Sequence, residues 1–102
     1  MPSNAWERES HFSRKAAYTE RLLAAGRSAF RRADAPAVTR LLRRAVELLP
    51  ADDPLRLEAM TDIASALTQR GELAAAEKVL RAALDEALRS GNDLVEARAR
   101  LA

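Results

Sequence analysis

The sequence predicts an all-α protein, and three observations carry that prediction. The first is composition: 23 Ala, 15 Leu and 15 Arg stand against 4 Val and 1 Ile. Strong helix formers dominate, and the β-branched residues that favour strands are scarce. The second is punctuation, since Pro36, Pro50, Pro54 and Gly71 cut the chain into helix-length segments. The third is an internal repeat in which the chain around Arg32 returns around Arg70, the sign of stacked supersecondary units. With 102 residues, 48% of them apolar and 31% charged, the chain is at most one folded domain with a modest core.

The boundary signals give five helices, at about 14–32, 36–49, 54–70, 73–89 and 93–102. Pro36 suits a first helical turn after a cap at Asp34 or Ala35, because its missing N–H needs no partner there. Pro50 and "ADDP" stop that helix, and Asp52 or Asp53 caps the next, which opens on Pro54. Gly71 supplies a left-handed cap for the helix ending near Arg70. "SGND", from Ser90 to Asp93, is expected to end the fourth helix and start the fifth.

Sliding the chain along itself until Arg32 falls on Arg70 sets "RADAPAVTRLLRRAVEL" (32–48) over "RGELAAAEKVLRAALDE" (70–86). In that register Ala37 meets Ala75, Leu42 meets Leu80, Arg43 meets Arg81 and Ala45 meets Ala83. Upstream, Gly26 meets Ala64 and Leu22 meets Met60. Small residues at facing positions let two helix backbones approach closely. Gly26, Val38 and Ala45 take that role in the first unit and Ala64, Ala76 and Ala83 in the second, with Leu42 and Leu80 as the apolar knobs between them. Enlarging Ala76 or Ala83 to Leu is expected to overpack the hairpin by about 1–3 kcal/mol.

This pattern resembles the tetratricopeptide repeat. The resemblance lies in Gly26, Ala33, Val38, Leu42, Ala45 and Pro50 in one unit, and in Ala64, Gly71, Ala76, Leu80 and Ala83 in the next. It spans about residues 18–90 and departs from the motif at several places. Ala33 stands where Gly is usual, Val38 where Ala is usual, and Leu22, Ala29, Met60 and Leu67 replace early aromatics. The interval from Arg32 to Arg70 also exceeds the usual repeat of about 34 residues. The longer form is similar to repeats behind the nucleotide-binding domains of large bacterial regulatory ATPases and nucleotide cyclases.

The resemblance implies a short right-handed solenoid: an N-terminal extension or capping helix segment (1–17), two repeats (18–53 and 54–92), and the first helix of a third repeat or a C-terminal cap (93–102). It also implies a protein or peptide partner in a concave groove lined by the first helices. By position that lining is Glu20, Leu23, Arg27, Phe30 and Arg31, then Glu58, Thr61, Asp62, Ser65 and Gln69. The Lys and Asn residues of the family's clamp for C-terminal carboxylates are missing, which disfavours chaperone tails. The expectation is therefore a scaffold or adaptor without catalysis. One alternative is a regulatory segment of a larger bacterial transcriptional regulator or cyclase. Another is nucleic-acid binding through Arg27, Arg31, Arg40 and Arg44, two pairs at helical i, i+4 spacing.

Direct signs of chemistry are few. His11 is the single histidine, there is no Cys, and the three glycines, Gly26, Gly71 and Gly91, form no phosphate loop. Helix capping accounts for Asp52 and Asp53 without a metal, so neither metal nor cofactor is expected. No apolar run approaches the roughly 20 residues of a membrane span, and "MPSNAWERES" lacks a signal-peptide core. A cytoplasmic location and no membrane partner follow as expectations.

The net charge of +2 hides an asymmetry. Residues 1–50 hold 10 basic against 5 acidic side chains, and residues 51–102 hold 7 against 10. Opposite poles suit head-to-tail contact with a copy or with a neighbouring repeat. Leu94, Val95 and Leu101 are expected to leave the last helix with apolar surface to cover, by self-association or by a further repeat. Trp6 is expected to touch a partner, while Phe12 and Tyr18 close the end of the first hairpin.

Overall fold

The computed structural model describes the backbone of residues 5–101, and within it every side chain except those at 7, 11, 12, 92–98 and 101. Four helices follow one another, with no strand among the described residues: α1 (Ala5–Arg31), α2 (Ala35–Leu48), α3 (Pro54–Gln69) and α4 (Leu73–Leu101). The all-α class is as predicted. The count of five is corrected to four, because α4 runs unbroken through "SGND". Gly91 in a helix interior costs about 1 kcal/mol against Ala, but no proline enforces a stop, and Ala, Leu, Arg and Glu continue the helix on both sides. As far as residue 101, the helix predicted over 93–102 is the end of α4. Likewise α1 begins at Ala5, well before the predicted start, so residues 5–17 are the first half of a long helix. The predictions for the side chains of His11, Phe12, Leu94, Val95 and Leu101 lie outside the described residues.

The two turns that close α1 onto α2 and α3 onto α4 share their capping bonds. Ala33 and Gly71, partners in the repeat register, are the two residues with left-handed backbone among those described, at φ 58° and 78°. Around Ala33, the Asp34 N–H donates to the Ala29 carbonyl at 2.9 Å and the Ala33 N–H to the Phe30 carbonyl at 3.0 Å. Around Gly71, Glu72 donates to Leu67 at 2.9 Å and Gly71 to Thr68 at 3.0 Å. Both are Schellman caps, which satisfy carbonyls that a helix end leaves open. The next helices start alike as well, Val38 donating to Asp34 and Ala76 to Glu72, each at 3.0 Å. Of the predicted caps, Asp34 and Asp53 serve: Asp34 accepts from the Ala37 N–H at 3.3 Å and Asp53 from the Leu55 N–H at 2.9 Å.

Each helix packs on the next, and α1 also touches α3, but α4 packs on neither α1 nor α2 among the described residues. The chain is thus an open succession of helices and not a closed bundle. Its radius of gyration is 16.3 Å, against about 13 Å for a compact chain of this length.

Small residues fill the contacts. Ala29, Ala45, Ala64, Ala66, Ala76 and Ala83 are all buried, and Leu42, Leu67 and Val38 are the largest side chains fully enclosed. Gly26 shows why: a Cβ there would lie 2.2 Å from Leu42 Cδ2. Leu80, predicted as the second knob, is corrected. It is 48% exposed where Leu42 is 1%, because α2 has a helix on either side and α4 has one on its α3 side only.

One polar clamp ties three helices together. Arg56 of α3 forks onto Glu86 of α4, its Nε and Nη2 donating to the two carboxylate oxygens at 2.9 Å each. Its Nη1 donates to the carbonyls of Val46 and Leu49 at the end of α2. The fork satisfies open carbonyls and orients the last turn of α2 in one contact. Among the described residues no helix is long and apolar enough to cross a membrane.

Candidate functional site

The first helices of the two hairpins, α1 and α3, border a groove floored by α2. At its waist Leu23, Leu42, Leu55 and Ala59 meet beneath Arg27 of α1 and Glu58 and Asp62 of α3. Burial and the neighbouring Glu58 carboxylate raise the Asp62 carboxyl above its ordinary value, and the Arg27 guanidinium pulls it back down. A cation thus faces two carboxylates across the groove, one of them held above the usual carboxylate range.

Toward the N-terminus of α3 the groove widens into a cleft of about 350 Å³. Its walls are Ala16 and Leu23 of α1, the Leu48–Leu49–Pro50 end of α2, and Leu55, with Lys15, Glu20 and Asp53 on the rim. Asp53 is engaged in capping α3. The α2 end forms a wall because Arg56 holds the Val46 and Leu49 carbonyls, so the structural clamp also shapes the cleft. Apolar walls with a few charged groups at the rim suit an apolar side chain on a charged peptide.

Of the predicted groove residues, Glu20 and Leu23 line the wide end, and Arg27, Glu58 and Asp62 meet at the waist. Phe30, Arg31, Thr61, Ser65 and Gln69 line neither part. Thr61 instead turns its hydroxyl onto the Leu57 carbonyl at 2.9 Å. Lys15, Ala16, Leu48, Leu49 and Leu55 were not foreseen. The missed signal is the pair Leu48–Leu49 directly before Pro50, two large apolar residues at a helix end with no predicted partner.

A second, shallower cleft of about 550 Å³ lies between α2 and the α3–α4 turn, where Thr39 and Arg43 come beside Leu67, Arg70 and Leu73. Of the arginines considered for nucleic acid, Arg27 lies beside the Asp62 carboxylate and Arg44 pairs with Glu47 at 2.9 Å. The described residues hold no group of three or more His, Cys, Asp or Glu that converge as metal ligands. No family model matches the chain, and neither a curated protein nor a solved structure shows significant similarity to it.

Proposed function

We propose that the chain is a protein–protein interaction module of tetratricopeptide type, a non-catalytic scaffold in a short solenoid that takes a peptide or protein segment in the groove between α1 and α3. The observation that supports this reading is the pair of capping bonds shared by the Schellman turns at Ala33 and Gly71, as repeated hairpins would have, with α1 also touching α3. The groove then offers an apolar floor flanked by Lys15 and Arg27 on one side and Glu58 and Asp62 on the other. A ligand with one apolar anchor and charges of both signs fits it.

Peptide display against the purified chain tests this. Enriched peptides are expected to share an apolar anchor next to a charge, and to lose binding to Leu55→Asp and to Arg27→Glu. Both positions are exposed, and circular dichroism checks that the helices persist in each variant. Selected peptides that bind both variants as well as the parent would place the binding surface elsewhere and overturn the reading.

A further inference from the structure

We infer that the protein associates head to tail with further copies of itself, the leucine face of α4 in one copy docking on the outer flank of α1 in the next. The inference rests on the correspondence of the hairpins and not on the groove, so an empty groove would leave it standing.

Inside the chain, α3 covers one face of α2. Thr39 lines a cleft with Leu67 of α3 and with Arg70, the residue that ends it, Leu42 lines another with Ala59 and Asp62, and the Val46 carbonyl receives Arg56. Those α2 residues, with Ala35, share the helical spacing i, i+4, i+7, i+11. Ala35, Thr39 and Leu42 are buried and Val46 is half-buried. In α4 the same four positions are Leu73, Glu77, Leu80 and Leu84, all exposed, the leucines by 64%, 48% and 59%. Leu88 lengthens the stripe, also exposed. A face that is enclosed in one unit is bare leucine in the other.

The complementary half is bare too. On α3, Ala59, which lines a cleft with Leu42 of α2, shares its helix face with Ile63 and Ala66, and all three are buried. Their counterparts in α1 are Arg21 and Ala25, both exposed, and the half-buried Ser28. One copy therefore carries, at its two ends, the two halves of the contact that α2 and α3 make internally.

Transposing that contact names its pairs. Thr39 beside Arg70 becomes Glu77 opposite Arg32 of the next copy. Arg56 against Val46 becomes Tyr18, a partly exposed ring, against Leu84. Leu42 against Ala59 and Asp62 becomes Leu80 against Arg21 and the small Ala24, both exposed. The first pair joins opposite charges, and the basic first half of the chain meets the acidic second half. Because the two surfaces differ, the contact is heterologous, and it grows into rings or open chains without closing at a dimer.

Sedimentation velocity on the whole chain, from about 10 µM to about 1 mM, should show mass rising with concentration past the dimer. Leu80→Glu with Leu84→Glu removes the tail surface, and Arg21→Glu with Ala25→Glu removes the head. All four sites are exposed, and circular dichroism checks that the helices persist. Each variant alone should stay monomeric, while an equimolar mixture should form a one-to-one heterodimer and stop there. Glu77→Arg should weaken association about tenfold, and Arg32→Glu in the same chain should restore it. A parent that stays monomeric to about 1 mM, a head variant that still dimerises by pairing leucine faces, or a mixture that fails to form the heterodimer each overturns the inference.

Discussion

The contact between Gly26 and Leu42 allows a sharp test of how the first hairpin closes. A Cβ built on Gly26 lies 2.2 Å from Leu42 Cδ2 and 2.7 Å from Cγ, where carbon atoms prefer about 3.5–4.0 Å. Rotating Leu42 about its Cβ–Cγ bond moves Cδ2 but leaves Cγ in place, and the enclosed side chain has no room to swing about Cα–Cβ. Gly26→Ala must therefore push α1 away from α2. Overpacking of this kind costs about 1–3 kcal/mol, and the contact at Cγ puts it near the upper end. Gly to Ala in a helix interior returns about 1 kcal/mol, so the net loss is about 2 kcal/mol. Urea denaturation reads that loss, and thermal melts should show about 4–8 °C for each kcal/mol. Leu42→Ala alone costs about 2–5 kcal/mol, but it removes the clashing atoms. In that background Gly26→Ala should stabilise by up to about 1 kcal/mol, a coupling of about 3 kcal/mol between the two sites. If Gly26→Ala stabilises the parent, or costs the same in both backgrounds, the close approach does not govern this hairpin.

Three further predictions concern the turns and the charged groups. Ala33→Gly should raise stability by about 0.5–1 kcal/mol in thermal melts, because left-handed backbone costs a residue with a Cβ about 1–2 kcal/mol and glycine's unfolded-state entropy takes back part of it. The reverse change, Gly71→Ala, should lower stability by a similar amount. Glu86→Gln should cost about 1–2 kcal/mol at pH 7. The Arg56 fork holds the Glu86 carboxyl below its ordinary value, so the lost stability is present above about pH 4.3 and fades as pH falls through the lowered value, and the two melting curves should converge in acid. Asp62 has the opposite sign: its raised carboxyl favours the fold when protonated, and that advantage is lost as pH rises through the raised value. Asp62→Asn should thus stabilise by a few tenths of a kcal/mol at pH 7, and Arg27→Gln should raise the Asp62 midpoint further in a carboxyl NMR titration.

What was legible in the sequence was what local chemistry decides. Asp34, Pro36, Asp53, Pro54 and Gly71 act where they stand, through caps and backbone angles, and the helices they bound are the ones observed. Ala33 was legible only through the repeat, since alanine gives no local sign of a left-handed turn. "SGND" misled because a Gly within favourable helix formers weakens a helix without ending it. Leu80 misled for another reason: its sequence neighbourhood copies that of Leu42, and only the presence of a covering helix separates their fates. Arg27, Glu58 and Asp62, which meet at the groove waist, were named through the resemblance, which lines a groove with the first helices. The cleft wall at Leu48 and Leu49 was not, because it depends on Arg56 reaching from another helix to the end of α2.

The Arg56 clamp also bears on how strong the contact between copies is. In the repeat register, the counterparts of Arg56 and Glu86 are Tyr18 and Leu48. The internal junction of α2 and α3 therefore has a guanidinium that satisfies two helix-end carbonyls and forks onto a carboxylate. The corresponding junction between copies has a phenol, with one donor and no charge. Charged, bidentate hydrogen bonds are about twice as strong as neutral ones, so the contact between copies is weaker than its internal template and must also offset the entropy of association. It follows that assembly is reversible and set by concentration. Tyr18→Arg by itself should not tighten it in sedimentation velocity, because α4 runs on past Leu84 to Leu101 and leaves no open carbonyl there, and Leu48 stands where the fork needs the Glu86 carboxylate; a clear tightening would show that the clamp does not depend on a helix end.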